Sequence, residues 1–317
     1  MSRWTVSDIP SQVGRLAVVT GATGGLGFET ALGLAGAGAE VILAARNPEK
    51  GKAAVSAIKA KVPDAKVSFG LLDLSSLASV EAFARTLLAG RAALDLLVNN
   101  AAVMSLPRRH ETADGFEMQL GTNYLGHFAL TGRLMPLLRK AERARVVNLS
   151  SLAHRAGAIE LADLQSNIRY RPWAAYQQSK LAMLMFAFEL QRRSDMGGWR
   201  ITSTAAHPGW ARTDLIANGP RSEGGFSGTW ILSKVMAPLF SHSAAGGALP
   251  TLFAATSPQA ETGGYYGPNG FYEMKGAVAP SFVAPQARNE VVASRLWEES
   301  ERLTGVSFTL PAMASVA

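Results

Sequence analysis

Tyr176 and Lys180 lie four residues apart in an apolar, helix-forming segment of this 317-residue chain. On a helix, that spacing puts both side chains on one face, about one turn apart. A phenol titrates at about pH 10, and an ammonium group held beside it favours the phenolate and lowers the pKa. The pair therefore predicts a proton donor and acceptor that works near neutral pH.

A glycine-rich loop follows the first predicted strand. From Thr20 to Gly27 the motif reads Thr-Gly-Ala-Thr-Gly-Gly-Leu-Gly, and a helix-forming segment comes next. Glycines let a backbone approach a pyrophosphate closely, and the N-terminus of the following helix offers free N–H groups and a positive dipole end. The loop predicts a site for the phosphates of a dinucleotide. A tight strand-to-helix turn that binds no ligand is the alternative.

Arg46 follows the second predicted strand, Glu40–Ala45. In NAD sites an acidic residue at this place hydrogen-bonds the ribose hydroxyls, whereas an arginine fits a 2′-phosphate by its charge and its fork of donors. The sequence therefore predicts NADP (NADPH/NADP+) in preference to NAD. An arginine that is merely solvated in a loop is the alternative.

Six short apolar runs alternate with helix-forming segments along residues 15–213. Runs that are apolar at nearly every position are typical of parallel strands covered on both faces, and the alternation predicts right-handed βαβ units. The predicted strands are Leu16–Thr20, Glu40–Ala45, Val67–Asp73, Asp95–Asn99, Arg145–Ser150 and Arg200–Ala206. The predicted helices are Leu26–Leu34, Glu49–Lys61, Leu77–Leu88, Phe116–Lys140, Tyr176–Arg193 and Gln286–Leu303.

This order of elements predicts one α/β catalytic domain over residues 1–317. We expect a doubly wound, mainly parallel Rossmann-type sheet with helices on both faces. Residues 15–213 form the cofactor-binding and catalytic core. Glycines and prolines followed by apolar residues predict an apolar substrate lid over 214–240, after the sixth strand, and residues 241–317 complete the fold.

Further motifs accompany the glycine loop in a regular order. They are Asp73 after the third strand, Asn99-Asn100-Ala101 after the fourth, Asn123 in the long helix, Ser150-Ser151 after the fifth strand, Tyr176 with Lys180, and His207-Pro208-Gly209 followed by Thr213. Together these features resemble the short-chain dehydrogenase/reductase family across residues 15–213. The joint match is far more specific than any single motif.

Within that family, the chain resembles the branch of retinol dehydrogenases and protochlorophyllide reductases. The segments that carry this closer likeness are Thr112–Phe116, Asn123–Phe128, Ser150–His154 and Ala287–Asn289. Ala102 departs from the family pattern, because a glycine usually follows Asn-Asn-Ala. We expect the alanine to be tolerated if its backbone φ is negative.

The resemblance implies hydride transfer between a carbonyl and an alcohol, with four catalytic residues: Asn123, Ser151, Tyr176 and Lys180. Tyr176 would donate a proton to the substrate oxygen as hydride reaches the carbonyl carbon, and remove it in the reverse direction. Lys180 would lower the pKa of Tyr176 and hold the nicotinamide ribose. Ser151 would hydrogen-bond the carbonyl oxygen, and Asn123 would bind a water that relays protons from Lys180.

The resemblance also implies the contacts to the cofactor. Asp73 would meet the adenine, Asn100 the adenine ribose region and Thr213 the nicotinamide carboxamide. The complete predicted set is Gly21, Thr23, Gly25, Leu26, Gly27, Arg46, Asp73, Leu74, Asn100, Ala101, Tyr176, Lys180, Pro208, Gly209 and Thr213.

A large apolar and aromatic set of side chains is expected to surround the catalytic residues. It comprises Met104, Leu152, Trp210, Phe226 and Trp230, with Trp173 as a further candidate. Such a wall around one polar face suits a bulky, lipophilic or aromatic ketone or aldehyde. Two alternatives for the lid stay open, namely that its apolar residues belong to the core or that they touch a membrane surface.

Composition excludes several other classes of function. The chain has no cysteine, which rules out disulfides and thiolate chemistry. The net charge is +7 and the pI about 9.8, but the basic residues are scattered and no nucleic-acid-binding motif accompanies them, so no nucleic-acid partner is predicted. His127 and His154 lie in apolar segments and are expected to be packed rings without a catalytic role. No grouping of His, Asp and Glu has metal-ligand spacing, so no metal is predicted.

The sequence predicts a cytoplasmic protein without a membrane span. Residues 1–10 lack the apolar segment of a signal peptide, and the longest uninterrupted apolar stretch, Leu181–Phe188, is far shorter than the roughly 18 residues of a spanning helix. The helix that begins at Tyr176 is apolar on most faces, which leaves open a homodimer or burial within a monomer.

Two other functions compete with the oxidoreductase. A non-catalytic NADP-binding scaffold or regulator would be expected to lack Tyr176 or Lys180, and both are present. An epimerase-like relative is suggested by the spacing of Gly21, Gly24 and Gly27, whereas the Asn99-Asn100 pair argues against it. The natural substrate and the physiological direction do not follow from the residues.

Overall fold

A computed structural model of the chain describes residues 4–210 and 242–308. These residues contain one sheet of eight strands in the order β3-β2-β1-β4-β5-β6-β7-β8. The strands are β1 (Leu16–Thr20), β2 (Glu40–Ala45), β3 (Val67–Leu71), β4 (Leu96–Asn99), β5 (Ala144–Leu149), β6 (Ile201–Ala206), β7 (Tyr265–Pro268) and β8 (Val278–Pro280). Every neighbouring pair is parallel except β7 with β8.

The helices of the described residues cover both faces of this sheet. They are α1 (Gly25–Gly36), α2 (Pro48–Lys61), α3 (Leu77–Gly90), α4 (Met118–Leu120), α5 (Gly126–Leu138), α6 (Pro172–Gly197), α7 (Ala244–Thr256) and α8 (Glu290–Thr304). Polar side chains begin several of them: Asn47 accepts a hydrogen bond from the N–H of Lys50 at the start of α2, and Ser76 accepts one from Ser79 at the start of α3.

Two apolar layers separate the sheet from its helices. Ala17 and Val19 of β1 point into the layer formed with α1, α2 and α7, whereas Leu16 and Val18 point into the layer formed with α3, α5 and α6. This alternation follows from the period of two along a strand. Both faces of the sheet are thus covered by helices. The loops at the carboxyl ends of the parallel strands lie at the edge where ligands bind in open α/β sheets.

The predicted long helix over 116–140 is interrupted. The structure has the short α4, then a π-helical turn over Gly121–Leu125, and then α5. Such a turn bonds residue i to i+5, and here the N–H of Gly126 reaches the carbonyl of Gly121. Periodicity over 25 positions could not reveal this single wider turn, which holds Asn123.

Helix α6 is longer than predicted and is packed within the chain. It begins at Pro172, four residues before Tyr176, and ends at Gly197 before Gly198 in the left-handed conformation. Phe186 of α6 is 2% exposed and packs with Trp297 of α8 at 5.7 Å between ring centroids. The apolar surface at Phe186 is thus buried by the chain's own last helix.

Three elements were not predicted from the sequence: α7, β7 and β8. Helix α7 is rich in alanine and glycine and contains Pro250, so its sequence shows little amphipathic periodicity. It packs against α1 and against β5, β6 and β7, and is therefore largely buried. At the other end of the fold, the predicted helix Gln286–Leu303 is divided into a 3-10 turn, Pro285–Arg288, and α8. The predicted lid, 214–240, lies outside the described residues.

Candidate active site

The glycine loop connects β1 to the N-terminus of α1. Gly21 and Gly25 have φ values of +65° and +54°, a conformation that favours glycine. Gly27 is required for a different reason, because a Cβ there would run into the carbonyl of Gly21 and the side chain of Asn100. These features leave the backbone open in front of α1, so the loop fits a dinucleotide phosphate group. Thr23 and Leu26 lie on this same loop and first helical turn.

Thr20 and Asn100 join the glycine loop to the end of β4. The Thr20 hydroxyl accepts hydrogen bonds from the N–H groups of Asn100 at 2.9 Å and Ala101 at 3.0 Å. The Asn100 amide in turn donates to the carbonyl of Thr20 at 2.7 Å. The sheet order reverses between β1 and β4, the position where dinucleotides bind in such folds. The following Ala102 is not among the residues with positive φ, as expected.

Arg46 and Asp73 lie at the same edge of the sheet. Arg46 is exposed and directly follows β2, whose residue Ala44 accepts a hydrogen bond from the N–H of Gly21 at 2.8 Å. Asp73 accepts from the N–H of Ser75 at 2.9 Å and from its hydroxyl at 2.6 Å, which orders the loop after β3. Leu74 is buried beside it at 7% exposure.

The side chain of Asn123 in the π-helical turn makes three hydrogen bonds. Its Oδ1 accepts from the N–H of Val103 at 2.7 Å, and its Nδ2 donates to the carbonyl of Val103 and to the Ser179 hydroxyl, both at 2.9 Å. Ser179 donates to the carbonyl of Tyr176 at 2.8 Å. The side chain therefore ties the loop after β4 to α6. A relay water at Asn123 could donate to the second lone pair of Oδ1 or to the main-chain carbonyl.

Tyr176, Lys180 and Ser151 come together between α6 and the end of β5. The Ser151 side chain is close enough to the Tyr176 hydroxyl for hydrogen bonding to lower the pKa of the phenol. The Lys180 ammonium lies 5.9 Å from the centroid of the Tyr176 ring and donates to the carbonyl of Leu149 at 3.1 Å. All three predicted partners thus share one site, with Tyr176 6% and Lys180 4% exposed.

Burial controls the proton affinities of Tyr176 and Lys180. It raises the pKa of Tyr176 to about 12, and the hydrogen bond with Ser151 acts against this rise. It lowers the pKa of Lys180 to about 8. In the chain by itself, the cost of burying a phenolate therefore keeps the pKa of Tyr176 above its ordinary value, contrary to the expectation that Lys180 would bring it toward neutral pH.

The position of Ser151 is fixed by the short 3-10 helix that it caps. Its hydroxyl accepts from the N–H of Ala153 at 3.2 Å. Its carbonyl accepts from the N–H of His154 at 3.1 Å and from Nδ1 of that ring at 2.7 Å. The neighbouring Ser150 donates instead to the carbonyl of Lys180 at 2.8 Å and is 3% exposed. Ser151, not Ser150, faces Tyr176.

The segment after β6, from His207 to Gly209, is fixed by hydrogen bonds of the buried His207 ring. The N–H of Gly209 donates to Nδ1 of His207 at 3.1 Å, so Nε2 carries the ring proton toward Glu273 at 3.1 Å and Ser281 at 2.7 Å. Glu273 also pairs with Arg155 at 2.6 Å. Gly209 has a φ of +66°, and a Cβ there would run into the carbonyls of residues 273 and 274. Pro208 is thereby placed at the site's edge.

The predicted substrate wall is only partly within the described residues. Met104 follows the Val103 backbone that Asn123 holds, and Leu152 follows Ser151; both are half-buried. Trp210 is 42% exposed, and Trp173 lies 5.4 Å from the Tyr176 ring between centroids. Thr213, Phe226 and Trp230 lie outside the described residues. Met104, Leu152 and Trp173 therefore border the site on three different elements.

Sequence reasoning missed four residues that organise this site: Thr20, Ser179, His207 and Glu273. Thr20 and His207 were inside recognised motifs, but their partners are distant in the sequence. Asn100 is 80 residues from Thr20, and Glu273 is 66 residues from His207. His127 and His154 are confirmed as buried rings whose nitrogens have hydrogen-bond partners. No group of three or more His, Cys, Asp and Glu in residues 4–210 and 242–308 has the geometry of a metal site.

The comparisons with known proteins identify the family. The sequence profile described as short chain dehydrogenase matches residues 15–223, which is more than half of the chain. This chain belongs to the short-chain dehydrogenase/reductase family. Polyprenol dehydrogenase of Mus musculus is 42% identical over 304 residues, which cover 94% of this chain and 86% of that protein. Retinol dehydrogenase 13 of Homo sapiens is 42% identical over 298 residues, covering 92% and 85%. The chain therefore falls in the retinol dehydrogenase-like branch.

Solved structures share the fold of this chain. A Mycobacterium paratuberculosis protein is 39% identical with a TM-score of 0.79, and the match covers 98% of this chain and 100% of that one. A short chain dehydrogenase from Shigella flexneri, solved with NADP, is 25% identical with a TM-score of 0.62, covering 81% and 97%. Among the described helices of this chain, every one is too short or too polar to cross a bilayer.

Proposed function

We propose that this short-chain dehydrogenase/reductase is an NADP-dependent oxidoreductase that interconverts a bulky, apolar or aromatic ketone or aldehyde with its alcohol. The observation that carries the proposal is that Ser151 and Lys180 come together with the buried hydroxyl of Tyr176, at the sheet edge that also holds the glycine loop. A buried proton donor next to a dinucleotide cradle suits carbonyl reduction.

In the reductive direction, the Tyr176 hydroxyl would give its proton to the carbonyl oxygen. When bound, NADPH would supply the hydride to the carbonyl carbon. Ser151 would hydrogen-bond the same oxygen and stabilise the negative charge that develops on it. Lys180 would resupply the proton, because burial already lowers its pKa to about 8. The oxidation of an alcohol would run through the same groups in reverse.

Arg46 supports NADP as the cofactor. Its exposed guanidinium follows β2 at the edge where β1 begins the glycine loop, and it could reach a 2′-phosphate there. The Shigella flexneri relative was solved with NADP. Residues Gly21 to Gly27 would receive the pyrophosphate, while Asp73 and Asn100 border the adenosine end.

The bulky apolar substrate is supported by the side chains around Tyr176. Met104 and Leu152 are half-buried, and Trp173 stacks near Tyr176 with an angle of 31° between the rings. Two relatives are named for polyprenol and retinol, which are long apolar alcohols. We extend that property of the relatives to this chain as part of the proposal.

The test compares NADPH oxidation by the wild type and Tyr176→Phe over matched bulky and small ketones and aldehydes. We expect the wild type to favour the bulky compounds and the variant to lose at least about a hundredfold in kcat. Tyr272→Phe is the control, since Tyr272 is 70% exposed and far less buried than Tyr176. Full activity in Tyr176→Phe would remove the assigned acid. NADPH binding without turnover by the wild type would favour a non-catalytic scaffold.

A further inference from the structure

His127 is a fully buried ring with a close partner at each nitrogen. It lies on α5, one turn after Asn123, and has 0% exposure. Its Nδ1 is 2.8 Å from the carbonyl oxygen of Asn123, and its Nε2 is 2.8 Å from the hydroxyl of Thr20. The branch motif Asn123–Phe128 contains this histidine, and the reaction described above makes no use of it.

The partners determine which nitrogen of His127 carries the proton. A carbonyl oxygen only accepts, so Nδ1–H must donate to Asn123. Burial lowers the pKa of His127 to about 3, and the nearby charge of Lys180 acts in the same direction. The ring is therefore neutral, and its Nε2 accepts a hydrogen bond.

The Thr20 hydroxyl completes this assignment. Its oxygen accepts from the N–H groups of Asn100 and Ala101, which occupy both lone pairs. Its single proton has two acceptors in reach, Nε2 of His127 at 2.8 Å and the more distant carbonyl of Val98 at 3.3 Å. The shorter contact places the proton toward His127. The Thr20 hydroxyl therefore accepts hydrogen bonds from the N–H groups at the end of β4 and donates one to the ring of His127.

His127 consequently bridges two parts of the site that are far apart in the sequence. On one side lies the end of β1, from which the glycine loop starts. On the other side lies the carbonyl of Asn123 in the π-helical turn, whose side chain binds Ser179 on α6. Ser179 binds the carbonyl of Tyr176. A displacement at His127 would therefore be transmitted to the helix that carries the proton donor.

We propose that His127 is a positioning residue: its neutral ring ties the main-chain carbonyl of Asn123 to the Thr20 hydroxyl and so sets the catalytic turn against the glycine loop. The kinetic part of this inference rests on the proposed oxidoreductase function. The bonding part does not, since it concerns only groups of the chain itself. The two parts call for separate measurements.

The first measurement is 15N NMR of the full-length protein labelled at histidine, with the His127 signals assigned by their loss in His127→Asn. We expect the neutral Nδ1–H tautomer, with shifts that stay constant between about pH 5 and 9. A proton on Nε2, or a titration near about pH 6.5, would overturn the proposal. This experiment needs no turnover, and the variant serves only to assign the signals of the wild-type protein.

The second measurement is steady-state kinetics with NADPH and the best carbonyl substrate. His127→Phe keeps a planar ring and removes both hydrogen bonds, whereas His127→Asn keeps a donor at the Nδ1 position. We expect His127→Phe to lower kcat at least about tenfold with KM within about threefold. His127→Asn keeps the bond to Asn123 but not the bond to Thr20, so it should recover part of that loss. The control is His110→Asn, because His110 is exposed.

Equal kcat in His127→Phe and the wild type would refute the positioning role. So would a loss that appears entirely in KM. Thr20→Val and Thr20→Ser provide a second pair in case His127→Phe is unstable: valine should lower kcat as the phenylalanine does, and serine, which keeps the hydroxyl, should recover most of that loss. Absence of turnover by the wild type would refute the proposed function, while the NMR measurement would still decide the bonding of His127.

Discussion

Replacing Lys180 by methionine should abolish activity and yet stabilise the protein. Lys180 is 4% exposed, and its ammonium donates to the carbonyl of Leu149. Burial lowers its pKa from 10.5 to about 8, and a shift of that size corresponds to about 3 kcal/mol of the free energy of unfolding. Methionine occupies a similar volume without the charge but loses a hydrogen bond worth about 1 kcal/mol. We expect a net gain of about 2 kcal/mol at pH 7.

The stabilisation must depend on pH with a definite sign. The folded pKa of Lys180 lies below the unfolded one, so the unfolded chain binds more protons between about pH 8 and 10.5. The wild type therefore gains stability as the pH rises through this window, and its destabilisation by Lys180 is present in full only below about pH 8. Tyr176 contributes equally to both proteins. The advantage of Lys180→Met should hence shrink at high pH.

The assay is urea unfolding of both proteins without cofactor at about pH 7 and pH 10. Lys59→Met is the control, since Lys59 is exposed, and it should stay within about 0.5 kcal/mol of the wild type at both values. A Lys180→Met protein that is less stable at pH 7 would refute the reasoning. A gain that is the same at pH 10 would do so as well, because it could not come from the buried charge.

Two further changes test the cofactor site and its support. Arg46→Asp should weaken NADPH binding about 10- to 100-fold and NADH binding much less, because a charge-assisted contact to a 2′-phosphate is lost. Fluorescence titration measures both affinities. The control is Arg143→Asp, because Arg143 is exposed just before β5, at the opposite edge of the sheet. Equal effects on both cofactors would contradict the assignment. Gly209→Ala should cost about 1–3 kcal/mol in urea unfolding and weaken NADPH, because its φ is +66° and its Cβ would meet the carbonyl of Met274. Unchanged stability would show that this backbone adapts.

Prediction from sequence worked best where the signal is local. The six strands from β1 to β6 were placed within two residues of their observed ends, because parallel strands buried on both faces are apolar at nearly every position. Helix α7, in contrast, was not predicted from the local sequence. Its alanines, its glycines and Pro250 give no apolar stripe, and its apolar residues are instead buried against α1 and strands β5, β6 and β7.

Within the site, residue types and short spacings determined which groups take part. The four-residue separation of Tyr176 and Lys180, the glycine spacing and Arg46 after β2 are properties of the chain read in order. These sufficed to propose the chemistry and the cofactor. They could not determine proton affinities, since the pKa of Tyr176 depends on burial by α6, β5 and the short helix after Ser151.

Only the tertiary structure decided how those groups are held. The contact between Thr20 and His127 spans 107 residues, and that between His207 and Glu273 spans 66. A hydrogen bond is directional and acts over about 3 Å, so its partner is set by the packing of whole elements and leaves no pattern in the local sequence. The amino-acid sequence thus indicated which groups react, and the fold determined their orientation and their protonation states.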